Sequence, residues 1–158
     1  MEVPEHWYYQ ETPFDDLSQS DEARPTDFLG MWIPDGNEIT GTTTIMIMHV
    51  RPEPGTTAAT AMDEDFGSVG NVSTDEMGRT ITVVGEGTLS LDDGTAVRWV
   101  DAEMDNGDGY PYVMRVYHFD TPQGGYVSVY VSTVAYQEEF ILAEVEAALG
   151  TIETYALP

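Results

Sequence analysis

The stretch 101–109 carries the side chains that most resemble a metal-binding loop. Acidic side chains alternate along it and are followed by two glycines, and Ca²⁺ takes several oxygen ligands at alternating positions. The stretch does not match an EF-hand loop, because with Asp101 in the first position Asn106 stands where glycine is needed and Tyr112 where glutamate is needed. It therefore predicts a hairpin turn, with a loose, millimolar cation site as the alternative.

The other residue types that could perform chemistry lack the necessary spacing. The histidines His6, His49 and His118 are far apart in sequence, which favours isolated imidazoles over a zinc site. The serine in 67–70 lacks the Gly-x-Ser-x-Gly spacing of a nucleophile, and the glycines of 85–87 precede strand residues rather than a phosphate-binding helix. The sequence therefore predicts no catalytic residue, no metal ligand and no cofactor, although a carboxylate in a cleft could still perform acid–base chemistry.

Aromatic and arginine side chains mark the best candidate for an interaction face. Tyrosine, tryptophan and arginine are the usual anchors of protein interfaces. The alternative interpretation is that the C-terminal helix covers these tyrosines, since a sheet with two apolar faces needs such cover. The residues of this predicted face are Trp99, Arg115, Tyr117, Tyr126 and Tyr130.

The charge of the chain is strongly acidic. Its 158 residues include 29 Asp and Glu against 5 Lys and Arg, for a net charge of −24, and lysine and cysteine are absent. Self-repulsion of this size destabilises a compact chain in dilute buffer, whereas in molar salt the Debye length falls to about 3 Å. The composition therefore predicts a surface adapted to high salt, as in halophiles. A mimic of DNA is the sharper alternative, and the lack of a basic patch argues against nucleic-acid binding.

The elements expected to position these residues are mainly strands. The range 41–50 alternates as a strand with two largely apolar faces. The range 79–134 reads as a meander of paired strands, with separate strands at 79–84 and 87–91 and a tight turn at 92–94. Helical spacing of apolar residues predicts a short helix over 58–69.

A second helix is expected over 137–149, with acidic residues in its first turn and Gly150 as its C-terminal cap. A short strand is expected over 28–33, followed by a turn at 34–37. The segment 1–26 is expected to be partly irregular, with one helical turn near 15–18. The order of elements predicts a single α+β domain over 1–158, in which helices flank an antiparallel sheet.

The sequence contains no run of 18 apolar residues, so a soluble protein without a transmembrane segment is expected. The compartment stays open: cytoplasmic for the chain as it stands, extracytoplasmic if a leader has been removed. The partner and the oligomeric state stay open as well.

The order of elements resembles the PsbP-like superfamily, which includes the DcrB-like bacterial envelope and secretion-chaperone proteins. One departure is 150–152, Gly-Thr-Ile, where many relatives have a Ser-Phe pair. The resemblance implies an α-β-α sandwich without catalytic residues that assists the assembly, secretion or localisation of a partner. The segments that carry it are 4–7 (Pro-x-x-Trp), 45–51, 62–66, 89–97, 127–133 and 138–149.

Three hypotheses about function follow. The first is a non-enzymatic accessory protein that binds an unknown protein partner. The second is a small-ligand-binding α+β domain with an internal pocket between sheet and helix, and the third is an enzyme with dispersed carboxylates. An exposed aromatic patch would favour the first, a closed cavity the second, and a carboxylate of strongly raised pKa in a cleft the third.

Overall fold

The computed structural model describes residues 2–9, 26–34, 43–75, 78–105, 107, 112–134 and 138–152. These residues form one antiparallel sheet and two helices. The sheet has eight strands in the order β1-β2-β3-β8-β7-β6-β5-β4. The strands are β1 (Trp7–Tyr9), β2 (Thr26–Pro34), β3 (Thr44–Val50), β4 (Val72–Thr74), β5 (Thr80–Ser90), β6 (Ala96–Asp105), β7 (Tyr112–Asp120) and β8 (Tyr126–Val134), and the helices are α1 (Ala58–Phe66) and α2 (Glu138–Gly150).

The predicted α-β-α sandwich is wrong, because the sheet dominates the fold. Eight strands at about 4.8 Å spacing make a sheet about 34 Å wide. The helix α1 has 9 residues and α2 has 13, so they span about 14 and 20 Å and are each about 10 Å in diameter. One such helix on a face covers the middle of the sheet and leaves the flanking strands without a helical layer.

The strand β3 shows why the sequence suggested more helical cover than exists. Its residues Ile45 and Ile47 are buried, as an inward face requires, whereas Met46 and Met48 on the opposite face are only half-buried. Methionine counts as an apolar residue in a sequence pattern even where its side chain is half-exposed. The pattern therefore predicted that other elements of the protein pack on both faces of this strand.

Two hydrophobic clusters hold the helices to opposite faces of the sheet. We call the side that packs α2 the α2 face: there Ile141, Val145 and Leu149 meet Tyr117 and Val129. We call the other side the α1 face: its largest cluster is formed by Met62 and Phe66 of α1 and by Val83, Val100 and Val116 of the sheet. Alternation along each strand therefore assigns each side chain to the α1 face or to the α2 face.

Both helices lie where their apolar spacing predicts them. The helix α1 begins after Thr57, whose side-chain oxygen accepts a hydrogen bond from the N–H of Thr60 in a capping box, and it ends at Gly67, which has a φ of 72°. The helix α2 begins with Glu138 and Glu139 in its first turn, where the helix dipole favours acidic residues. Neither described helix has the length and hydropathy that a membrane-crossing segment needs.

The strand β5 differs most from its prediction. The sequence suggested separate strands at 79–84 and 87–91, but Thr80–Ser90 is one strand of 11 residues, with a bulge between Val83 and Gly85. The short strand β4 that pairs with its first residues was not predicted. The predicted helical turn near 15–18 and most of the turn at 34–37 lie outside the described residues.

Candidate functional site

The five residues of the predicted interaction face lie on two faces of the sheet. Trp99, Arg115 and Tyr117 are on the α2 face, where Trp99 and Tyr117 join the cluster that contains α2. Tyr130 packs on the α1 face against the Met62 cluster, and Tyr126 packs there with residues of α1. Because neighbouring residues of a strand point to opposite faces, the five do not form one continuous surface.

Trp99, Arg115 and Tyr117 form a stack on the α2 face. The Arg115 guanidinium lies 4.3 Å from the centre of the Trp99 ring and 6.0 Å from that of Tyr117. Arg115 also donates two hydrogen bonds to the Asp101 carboxylate, at 2.5 and 2.6 Å, and one to Glu146 of α2, at 2.8 Å. The side chains of Arg115 and Asp101 are each only 14% exposed, so this paired geometry links β6, β7 and α2.

The titration behaviour of this stack points to a structural role. Burial lowers the pKa of Arg115, but its interactions with Asp101 and Tyr117 together more than offset that effect, so the net pKa lies above the usual value. Burial raises the pKa of Tyr117, and the nearby Arg115 offsets this only in part. Arg115 is therefore charged and Tyr117 protonated throughout the physiological range, so neither is poised to exchange a proton near neutral pH.

Two glycines of β5 make room for Trp99. A Cβ atom placed on Gly87 would come within 2.5 Å of the indole, and one placed on Gly85 would lie 3.6 Å from it. The indole therefore lies directly over the backbone of β5, next to the outer part of the sheet. Trp99 itself is half-buried.

The two tyrosines on the α1 face are covered to different extents. Tyr126 is 2% exposed and its ring lies 4.8 Å from that of the buried His118. Tyr130 is half-buried. The alternative raised from the sequence, cover by the C-terminal helix, thus describes Tyr117 under α2, whereas Tyr126 packs against α1.

Two exposed aromatic side chains lie at the β1 end of the sheet, and one more, Phe140, lies on α2 and is 64% exposed. Tyr8 and Tyr9 are 62% and 43% exposed. The Tyr9 ring meets the Trp32 ring edge-on, with centroids 5.5 Å apart, and β1 pairs with β2 so that Tyr9 faces Trp32. Tyr9 and Trp32 share the α2 face, whereas Tyr8 points to the α1 face of the same outermost described strand. We call these three residues, on the two sides of that strand, the aromatic edge. The only signal for it in the sequence was the run of aromatic residues at 7–9.

A surface cleft lies beside the N-terminal segment. It has a volume of about 390 Å³ and is open to solvent. Glu144 of α2 lines it and accepts hydrogen bonds from the Trp7 indole, at 3.0 Å, and from His6, at 3.1 Å. The other lining residues are Glu2, Val3, Pro4, Glu5, Ala147, Ala148 and Thr151.

The histidines lie apart in the structure, and most of the acidic turn lies outside the described residues. His6 pairs with Glu144, His49 lies 3.8 Å from Asp27, and His118 is buried in the sheet. Within the turn between β6 and β7, the structure describes Gly107. Its N–H donates a hydrogen bond to the Asp105 carboxylate at 2.7 Å. No group of three or more metal-ligating side chains comes together within the described residues.

Comparison with known proteins establishes the fold alone. No family model matches the chain, and no curated protein matches it. Among solved structures, the chain resembles the crystal structure of PA94 from Pseudomonas aeruginosa, a protein of unknown function described as a candidate regulator, with a TM-score of 0.51 and 9% identity over 96% of this chain and 99% of that one. The chain thus shares the overall fold of that structure, and its resemblance to the PsbP-like superfamily stays a prediction.

Proposed function

We propose that this chain is a non-enzymatic accessory protein that binds a protein partner at high salt, and that the aromatic edge is its contact surface. The observation that carries the proposal is the exposure of Tyr8 and Tyr9 on the two faces of β1, with Tyr9 in contact with Trp32. Tyrosine and tryptophan bury a large area at a low cost in side-chain entropy, which makes them frequent interface anchors. The PsbP-like resemblance, which implies an assembly or localisation factor, agrees with this role.

High salt favours this kind of contact. With a Debye length of about 3 Å in molar salt, charge pairs at a surface contribute little to the choice of partner. Apolar and aromatic contacts keep their strength there, so an aromatic edge on an acidic body is suited to recognition.

The distribution of arginine supports the adaptation to salt. The four described arginines each contact a carboxylate: Arg51 pairs with Asp27, Arg79 with Asp75, Arg98 with Asp63 and Arg115 with Asp101. With 29 Asp and Glu against 5 Arg, most carboxylates have no arginine to pair with, which leaves the net charge of −24. Salt screens the repulsion between these carboxylates. We expect the melting temperature to rise between dilute buffer and molar KCl, and an unchanged value would contradict this part of the proposal.

The binding proposal is tested by affinity capture from a halophile lysate in molar KCl. The wild-type chain is compared with the double variant Tyr8→Ala/Tyr9→Ala and with the control Val72→Ala, which truncates a side chain that is 60% exposed elsewhere on the sheet. We expect one protein captured in a stoichiometric amount by the wild type and the control and lost by the double variant. Equal capture by all three chains would rule out the aromatic edge as the contact.

A second candidate function is the binding of a small cationic ligand in the cleft. Glu2, Glu5 and Glu144 surround an apolar floor that includes Val3 and Ala148, and such a lining suits an amine with a short apolar part. A small molecule retained without a protein, and lost in Glu144→Gln, would favour this function over partner binding.

A further inference from the structure

The strand β5 has an outer side that is only partly paired. Its inner side pairs with β6 from Thr80 to Ser90. On its outer side, β4 pairs with Thr80–Thr82, and the backbone of 70–71 bonds Val83. Within the part of the chain that the structure describes, no strand pairs with the outer side of 86–90.

The hydrogen bonds of the hairpin show which backbone groups face outward. The N–H of Leu91 donates to the carbonyl of Thr95 in the hairpin turn, so the backbone of Leu91 faces inward. Along an antiparallel strand the backbone N–H and C=O groups of successive residues point alternately to the two neighbouring strands. Those of Leu89 and Gly87 therefore also face β6, whereas those of the alternate residues face outward. The outward-facing residues of this segment are Glu86, Thr88 and Ser90, and all three are exposed to solvent.

This edge has few of the features that usually prevent pairing with another strand. Natural edges are often protected by lysine, proline or several charges. Thr80–Ser90 contains neither lysine nor proline, and Glu86 is its only charged residue. The bulge between Val83 and Gly85 lies near the middle of the strand, which leaves a regular segment over 86–90.

We propose that this edge pairs with the same edge of a second copy, antiparallel, around a two-fold axis at Thr88. In this register Thr88 faces Thr88 of the partner subunit, and Glu86 faces Ser90 of the partner subunit. Each facing pair exchanges two backbone hydrogen bonds, and Thr–Thr pairs and hydroxyl–carboxylate pairs are favourable across strands. A two-fold axis at Thr88 pairs all five residues of 86–90, whereas an axis at Glu86 or at Ser90 moves the pairing out of this regular segment, into the bulge or into the hairpin turn.

The α2 face adds an apolar contact in the same register. Gly87 lies opposite Leu89 of the partner subunit, and the half-buried Trp99 indole already lies over Gly87. The glycine leaves the indole accessible to an incoming side chain. Pairing therefore buries Trp99 further on both copies.

The charge of the chain makes this association dependent on salt. Two bodies of net charge −24 repel each other in dilute buffer, and molar KCl screens that repulsion. The contact is smaller than a standard interface, so we expect a weak dimer that forms at high salt and dissociates on dilution of the salt.

The test is sedimentation equilibrium in molar KCl of the wild type, Thr88→Pro and the control Thr88→Ala. Proline removes the outward N–H at the axis without removing a bond to β6, whereas alanine keeps it. We expect a dimer for the wild type and the control and a dissociation constant raised at least about tenfold for Thr88→Pro, since two hydrogen bonds of about 1 kcal/mol each are lost. Tryptophan fluorescence should shift on dimerisation in the wild type and in Thr88→Ala, because pairing buries Trp99 further.

A wild-type chain that stays monomeric at millimolar protein in molar KCl would overturn the proposal, as would a Thr88→Pro chain that dimerises as tightly as the wild type. If Thr88→Pro does not fold, Thr88→Glu replaces it, because that change leaves the backbone intact and places two carboxylates opposite each other at the axis. It is measured at the lowest salt concentration at which the wild type is dimeric. Unchanged dimerisation of Thr88→Glu would also overturn the proposal.

Discussion

Replacing Arg115 with methionine removes the cation that neutralises the carboxylates of the α2 face. In the wild type, Arg115 bonds Asp101 and Glu146 and stacks on Trp99. Methionine keeps much of the apolar volume, so the main change is the loss of charge and of hydrogen bonds. Asp101, only 14% exposed, is then left without its cation near Glu146.

The expected cost follows from the burial of the pair. Removing one partner of a buried ion pair costs about 3–5 kcal/mol, because the other charge stays desolvated. Since the Arg115–Asp101 pair is slightly exposed, we expect the lower end of that range, about 3 kcal/mol. The control is Arg51→Met: Arg51 and its partner Asp27 are 57% and 51% exposed, so that change should cost less than about 1 kcal/mol.

The assay is urea unfolding in molar KCl, which screens the exposed pair and leaves the buried one largely unscreened. The double variant Arg115→Met/Asp101→Asn should recover at least half of the loss, because it removes the unpaired carboxylate as well. The reasoning would be refuted if Arg115→Met cost no more than Arg51→Met, or if the double variant were less stable than Arg115→Met alone.

Three further predictions follow from single side chains. Gly87→Ala should cost about 1–3 kcal/mol in urea unfolding and change Trp99 fluorescence, since the new methyl group overlaps the indole; an unchanged emission spectrum would contradict the close contact. Burial raises the pKa of Glu138, so the folded state keeps its proton to a higher pH than the unfolded state, and wild-type stability is lost as pH rises from about 4.3 through the raised value. Glu138→Gln should therefore be more stable than the wild type at pH 7 and lose that advantage near pH 4 in thermal melts; an advantage that grew on acidification would reverse the sign. Met62→Ala, at a side chain that is 0% exposed, should cost about 2–5 kcal/mol in urea, against less than about 0.5 for Val72→Ala; similar costs for the two would refute the packing of α1.

The sequence predicted the two helices and the tight turn between β5 and β6 well, because their signals lie within a few neighbouring residues. The helices over 58–69 and 137–149 are α1 and α2 within a few residues, and the tight turn at 92–94 joins β5 to β6. These features depend on capping residues and on neighbours three or four positions apart, which a single sequence contains.

Contacts between distant strands explain what the sequence did not predict. Glycines at 85 and 87 looked like the end of a strand because glycine weakens strands, yet Trp99 on the next strand covers them and β5 continues. Arg115 and Tyr117 were predicted to lie on one interaction face, and they do share the α2 face. Tyr126 and Tyr130 were predicted on that same face, but which face they occupy depends on the register of β7 with β8. That register is set by the turn and by packing, and neither is visible in the spacing of aromatic residues.

The pairing of β3 with β8 has a consequence for synthesis of the protein on the ribosome. Thr44 pairs with Ser132 and Val50 with Tyr126, so β3 has to wait for β8, which is made much later, before its inner side is paired. The local hairpins of β5 to β8 can close as they emerge, whereas Ile45 and Ile47 stay exposed in the nascent chain until β8 has left the exit tunnel. The pairing of β3 with β8 therefore joins the early and late parts of the sheet only after β8 is made. Before that stage, a chaperone would find an apolar strand with one side unpaired.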